Sequence, residues 1–184
     1  MSLNMRKDDL RISKTKKSLC AATSTLLKRQ NFRKITVRDV CGEALTSRAT
    51  FYAHYTDKYS LLKYWLEELT TNNNIREGDT YENIEKLVNQ FTDENKNIIK
   101  NIIQDADQET LNILFDFILS CFNLFIEKNE NEKINAQYIV LSNFFAGGMI
   151  YYLSCHINNK SQFEIMNIFL YDLIKNFKQW GLQK

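Results

Sequence analysis

Thr46-Ser47-Arg48-Ala49-Thr50-Phe51-Tyr52-Ala53-His54-Tyr55-Thr56-Asp57-Lys58-Tyr59-Ser60-Leu61-Leu62 is the stretch on which the rest of this 184-residue chain turns. Thr46 and Ser47 offer side-chain oxygens to a helix N-terminus, whose first N–H groups lack partners within the helix. Arg48, Ala49, Thr50, Tyr52 and His54 then give a short exposed face of small, hydroxylated and cationic groups. Phe51 and Tyr55 fall four apart, so the opposite side can bury while this one reads. Thr56-Asp57 offers a second cap, Lys58 lies in the next first turn, and Leu61-Leu62 starts a new apolar face. A capped two-turn helix with a basic start, followed at once by another helix, has the shape of the recognition helix of a helix-turn-helix. The bland alternative is an ordinary short helix in an all-α protein.

Composition bears on the choice. The chain has no proline and five glycines, with 44% hydrophobic and 12% aromatic residues, which favours long helices over strands and turns. Its net charge of +2 hides an asymmetry: residues 1–64 hold 14 Lys and Arg against 5 Asp and Glu, and residues 65–184 hold 10 against 17. A basic front and an acidic back point to a polyanion at the first third. Four scattered cysteines without a Cys-x-x-Cys pair, and only two histidines, argue against a metal site or a disulfide framework. They fit buried, reduced thiols in a cytoplasmic protein. No signal peptide or membrane span is expected, and Met1-Ser2-Leu3 is given no function. A glycine-rich phosphate loop and a catalytic His–Cys pairing are both missing, so neither an enzyme nor a cofactor is expected.

Taken in order, a first helix is predicted from about Leu10 to Gln30. Ile12, Leu19, Ala22, Leu26 and Leu27 lie on its apolar side, and Lys14, Lys16 and Lys17 crowd its first half, free to approach phosphate. Asn31 is read as a left-handed terminator and Phe32 as a plug into the core. Thr36 caps a second helix from Val37 to about Ala44, with Val40 and Cys41 inward and Arg38 outward.

The order Phe32, Ile35-Thr36-Val37-Arg38-Asp39-Val40, Ala44, Ser47 to Tyr55, Asp57-Lys58, Leu61-Leu62 resembles the DNA-binding domain of the tetracycline-repressor (TetR) family of bacterial regulators, over roughly residues 10–65. Thr-Phe-Tyr-x-His-Tyr-x-Asp-Lys further resembles a branch that includes regulators of dihydroxyacetone kinase operons. One departure is Leu45, which stands where the family usually has glycine; in a left-handed conformation it would cost about 1–2 kcal/mol. Either the turn is reshaped or the strain is carried.

The resemblance implies double-stranded DNA as partner, with Thr36, Arg38, Thr46, Ser47, Arg48, Ala49, Thr50, Tyr52, His54 and Lys58 as contact residues. Thr36 and Lys58 put a hydroxyl and a cation at helix N-termini, which suits phosphate. In the family pattern Tyr52 and His54 lie against the DNA backbone. Arg48 has the fork that pairs with guanine O6 and N7, and Ala49 and Thr50 can touch a thymine methyl or a base edge.

Further on, Asp57 to about Asn74 is predicted as a linking helix with Leu61, Leu62, Trp65, Leu66 and Leu69 on one stripe. A polar passage from Thr70 to Asp79 follows, so residues 1–64 read as the DNA-binding unit and 65–184 as a sensing and dimerising one. Thr80 can cap a helix carrying Tyr81 to Phe91. Thr92 or Asp93 can cap another with Ile98, Ile99, Ile102 and Ile103. Leu111 to Ile126 reads as a helix buried on most sides, and Glu127 to Lys133 as a charged turn. Ile134 to about Ile157 has two apolar stripes, Tyr138, Leu141, Phe145 and Tyr152 on one side and Val140, Phe144, Gly147 and Tyr151 on the other. A last helix runs from about Gln162 to Trp180.

Two apolar faces need two partners, and the mid-helix glycines suggest close backbone approach. The expected homodimer interface is a four-helix arrangement of the last two helices of each subunit, using Phe144, Gly147, Gly148, Tyr151, Met166, Leu170, Leu173 and Phe177. A small-molecule pocket is expected among Asn112, Asp116, Ser120, Asn143, Tyr151 and His156. The fold class is thus all-α, an N-terminal three-helix helix-turn-helix domain with a C-terminal helical bundle forming a dimer. The function expected is a repressor on a palindromic operator, released by a small effector. The alternative is a co-regulator of the same fold controlled by a protein partner.

Overall fold

The computed structural model describes residues 3–72, 95–130 and 136–156, all in helices and their connections with no strand among them. In chain order these are α1 (Leu3–Leu27), a 3-10 turn (Phe32–Lys34), α2 (Val37–Glu43), α3 (Arg48–Tyr52), α4 (Lys58–Asn72), α5 (95–103), α6 (Gln108–Glu130) and α7 (Ala136–His156). The expected Tyr81–Phe91 helix and the last helix, Gln162 to Trp180, lie outside the described residues.

α1 begins seven residues earlier than its apolar periodicity suggests and ends three residues sooner. After Leu27 the turn tightens, with Arg29 and Gln30 both donating backbone N–H to the Leu26 carbonyl at 2.9 and 3.0 Å. Asn31 is extended (φ −63°, ψ 142°), which corrects the left-handed terminator read from sequence. Its amide instead reaches Asp105 Oδ2 at 3.2 Å. Phe32 fills the corner as expected and is 2% exposed.

The head packs around Leu19, Leu26, Leu27, Phe32, Ile35, Val40, Phe51, Leu61 and Leu62, all buried. Each such side chain contributes roughly 1.5–3 kcal/mol on leaving water. Thr36 starts α2 with a complete capping box: Asp39 N–H donates to Thr36 Oγ1 at 3.2 Å and Thr36 N–H to Asp39 Oδ2 at 2.9 Å. α2 ends in a Schellman pattern, with Thr46 N–H to the Cys41 carbonyl at 3.0 Å and Leu45 N–H to the Gly42 carbonyl at 3.3 Å. Leu45 holds the position that wants glycine, at φ 52°, with its side chain 95% exposed. The strain is carried and the turn keeps its shape.

α4 crosses the boundary drawn at residue 64 and packs on both α1 and α6. Its buried stripe is Leu61, Leu62, Trp65 and Leu66, with Leu69 half-buried. Asp57 caps it: Ser60 N–H donates to Asp57 Oδ1 at 2.7 Å and Asp57 N–H to Ser60 Oγ at 3.2 Å. α5 buries Ile98, Ile102 and Ile103. α6 continues through Glu130, so Glu127 to Glu130 are helical and not part of the expected charged turn.

The corner between α5 and α6 is tied to the head. Asp107 caps α6 by accepting the Thr110 N–H at 2.9 Å, while its other oxygen accepts the Tyr59 hydroxyl at 2.5 Å. Asn101 Nδ2 donates to the Leu27 carbonyl at the end of α1, at 2.8 Å. The Tyr59 hydroxyl and the Thr110 donors hold the Asp107 carboxyl down at about 2, from 3.8. A depressed carboxylate stabilises the fold above its unfolded pKa and loses that contribution as pH falls through its folded one. With a discount for partial solvent screening, the contribution is about 1 kcal/mol, lost between about pH 4 and pH 2. Asp107→Asn is therefore expected to lower stability by about 1 kcal/mol at pH 7 and to flatten the acid limb. Urea melts at neutral and acid pH check this; an unchanged acid limb would contradict it.

α7 shows both apolar faces. Ser142, Ala146 and Leu153 are buried inward, flanked by the half-buried Leu141, Phe145 and Tyr152. Val140, Phe144, Gly147, Gly148, Tyr151 and Cys155 share the opposite, exposed stripe. No described helix is long and apolar enough to cross a membrane.

Candidate nucleic-acid interface

The recognition helix is shorter than expected, five residues from Arg48 to Tyr52, with Ala53 as its C-cap. Its start is fixed by Ser47, whose Oγ accepts the Thr50 N–H at 3.0 Å and lies 2.8 Å from Thr50 Oγ1. Its underside is Phe51, fully buried. Tyr55 is buried one turn on, where its N–H still donates to the Phe51 carbonyl at 2.9 Å. The rings of Phe51 and Tyr55 lie 5.8 Å apart, and Tyr55 meets Tyr64 of α4 at 5.7 Å. Aromatic packing from beneath pushes Ser47, Arg48, Ala49, Tyr52 and Ala53 outward, and all five are exposed. Thr46, Thr50 and His54 are half-buried at the edge of this face. The Arg48 guanidinium stands 6.0 Å over the Tyr52 ring, an arrangement that braces a long side chain without using its donors.

The other expected contacts fare differently. Arg38 is exposed on α2 and free to meet a phosphate. Thr36 is exposed too, but its hydroxyl lies 2.7 Å from Asp39 Oδ2. Those Thr36 hydrogen bonds lower the Asp39 pKa, so a carboxylate stands at the helix start where a phosphate was expected. Lys58 is the clearest correction. Its ammonium turns away from solvent and donates to the carbonyls of Phe32, Arg33 and Ile35 at 3.1, 3.0 and 3.1 Å. The rings of Phe32 and Tyr59 lie 4.8 and 5.3 Å from it. Burial pulls its pKa down and Asp107 pulls it back up. All three donors are engaged, so Lys58 closes the 3-10 turn onto α4.

The pocket expected in the body is not assembled by these residues. Asn112, Asp116 and Ser120 lie on the exposed side of α6. Asn112 bonds Gln108 at 2.9 Å, and the Ser120 hydroxyl donates to the Asp116 carbonyl at 2.7 Å. Asn143 donates to its own helix at the Ile139 carbonyl, 2.7 Å away, and Tyr151 is 73% exposed. The spacing of four that Asn112, Asp116 and Ser120 share marks the solvent side of the helix. The side chain of His156 lies outside the described set, as do Met166, Leu170, Leu173 and Phe177. Gly147 has room for a Cβ, which would meet Phe115 at 3.9 Å, and Gly148 has nothing within 4 Å, so neither glycine serves close approach to another described residue. Cys41 is buried and Cys20 and Cys121 half-buried; Cys155 is exposed, against the expectation of buried thiols. Burial, with Glu68 beside it, pushes the Cys20 thiol up to about 11.

Sequence reading missed the Tyr59–Asp107 link and the role of Lys58. Asp107-x-x-Thr110 is visible as a capping signal, but which tyrosine would meet it is not.

Residues 19–64 match the profile of the bacterial regulatory proteins of the tetR family. No curated protein matches the chain. The crystal structure of a TetR transcriptional regulator from Streptococcus agalactiae 2603V is similar over 90% of this chain and 98% of that one, with TM-score 0.60 and 23% identity. Neither match supports the narrower likeness to regulators of dihydroxyacetone kinase operons. Residues 19–64, a quarter of this chain, thus match the tetR-family N-terminal domain, within a fold shared with a TetR transcriptional regulator.

Proposed function

We propose that this protein is a homodimeric DNA-binding transcription regulator that represses by occupying a palindromic operator. The observation that carries the reading is the outward face of α3: Arg48, Ala49 and Tyr52 exposed on a helix capped by Ser47 and held from below by Phe51. Arg48 reads a base, and Arg38 with Tyr52 holds the phosphate backbone. The second copy covers the exposed stripe of α7, where Val140, Phe144 and Tyr151 lie beside Gly148, which has no near neighbour among the described residues. Two heads one turn of DNA apart then read both half-sites. In the same reading the body senses a small effector, and the contacts at Asp107 and Leu27 carry its effect to the heads.

The test is selection of duplexes from a random pool, followed by Arg48→Ala on the recovered sequence. The variant is expected to lose about 1–3 kcal/mol and to relax preference at one base position. An equal loss on matched and scrambled duplexes would remove Arg48 from base reading. A pool that yields no sequence would remove the function.

A further inference from the structure

The first half of α1 is longer than the head needs. From Leu10 on, where the side chains are described, Leu19 is the first that is buried, and the tetR-family match also begins there. The helix nevertheless starts at Leu3, so 16 residues precede that core, about 24 Å of helix at 1.5 Å per residue. The other end of α1 is held by Asn101 at the Leu27 carbonyl. From that anchor the helix runs back along the head, passes the helix-turn-helix corner and continues beyond it.

One contact sets the azimuth of the extension. Ser18 Oγ donates to the carbonyl of Ala44 at 3.3 Å, directly before Leu45 and the start of the recognition helix. Arg11 and Lys14 precede Ser18 by seven and four residues, which places them on the same stripe of the helix. Both are exposed. Lys16 turns the other way and stands 4.7 Å over the Tyr64 ring of α4.

We propose that the first half of α1 is a second DNA-contacting arm, with Arg11 and Lys14 set against phosphates outside the base pairs that α3 reads. The inference rests on the DNA-binding reading and adds a wider footprint to it. The arm carries no sequence information of its own. It adds affinity through counterion release, which makes that added affinity strongly salt-dependent.

The test uses the full chain, the double variant R11Q/K14Q, and the duplex recovered by selection in two lengths. One length ends at the half-sites and the other carries a further helical turn, about 10 base pairs, on each side. The wild type is expected to bind the longer duplex about tenfold more tightly, and the variant to lose that gain while binding the short duplex like the wild type. On the long duplex the slope of log affinity against log salt should flatten by about 1.8 per protomer, for two phosphate contacts at roughly 0.9 each. Both side chains are exposed, so the melting temperature of the variant should not move; a shift would assign them a structural part instead. If the wild type binds both lengths alike, or the variant keeps the full slope, the arm is overturned while the recognition helix stands. If the wild type binds neither duplex at low salt, both readings fall.

Discussion

Lys58→Met should destabilise the head by about 2 kcal/mol and lower the melting temperature by about 4–8 °C while leaving the salt dependence of DNA binding unchanged. Methionine keeps the aliphatic stem against Phe32 and removes the ammonium. The carbonyls of Phe32, Arg33 and Ile35 then lose a charged donor, the first and last of them in part-buried surroundings. The interaction with two ring faces goes as well. A phosphate ligand would behave in the opposite way: melting would hold, and the salt slope would flatten by about 0.9 per protomer. Calorimetry and a salt titration on the same variant separate the two outcomes, and the second pattern would return Lys58 to the DNA interface.

The second large effect is expected from Phe144→Glu. Phe144 is 80% exposed on α7, so within one chain the change removes almost no packing. In a dimer it places a carboxylate among Val140, Tyr151 and their counterparts. A buried charge without a partner is costly, and the dissociation constant should rise at least 100-fold, about 2.7 kcal/mol. Sedimentation equilibrium should then show a monomer at concentrations where the parent is a dimer, and affinity for a palindrome should fall towards that of a half-site. A parent that sediments as a monomer, or a variant of unchanged mass, would remove this face from the interface.

How much of this was legible in the sequence follows from how local each feature is. The Thr36 cap, the Ser47 cap and the burial of Phe51 and Tyr55 depend on residues three or four apart, and they read directly, although the answering Asp39 of the capping box did not. The strain at Leu45 was legible as a choice between two outcomes, because one residue in a known turn position has few options. Lys58 was not legible in the same way. Its partners lie 23 to 26 residues away, and a lysine in a first helical turn looks alike whether it faces water or a carbonyl cluster. The polar residues of α6 failed for a related reason. A spacing of four marks one face of a helix but not which face is inside, and here it marked the outer one. The two stripes of α7 were separable because both are apolar, and only the structure says which of them the chain covers for itself.

Three consecutive residues at the start of α4 each fasten a different piece of chain. Asp57 holds the helix's own first turn, Lys58 gathers the 3-10 carbonyls, and Tyr59 grips the cap of α6. Such a rivet leaves no slack where the reading unit meets the start of α6. In the proposed regulator the pivot must then sit farther from the DNA, and a displacement arriving there would swing the head as a rigid lever with its internal geometry intact.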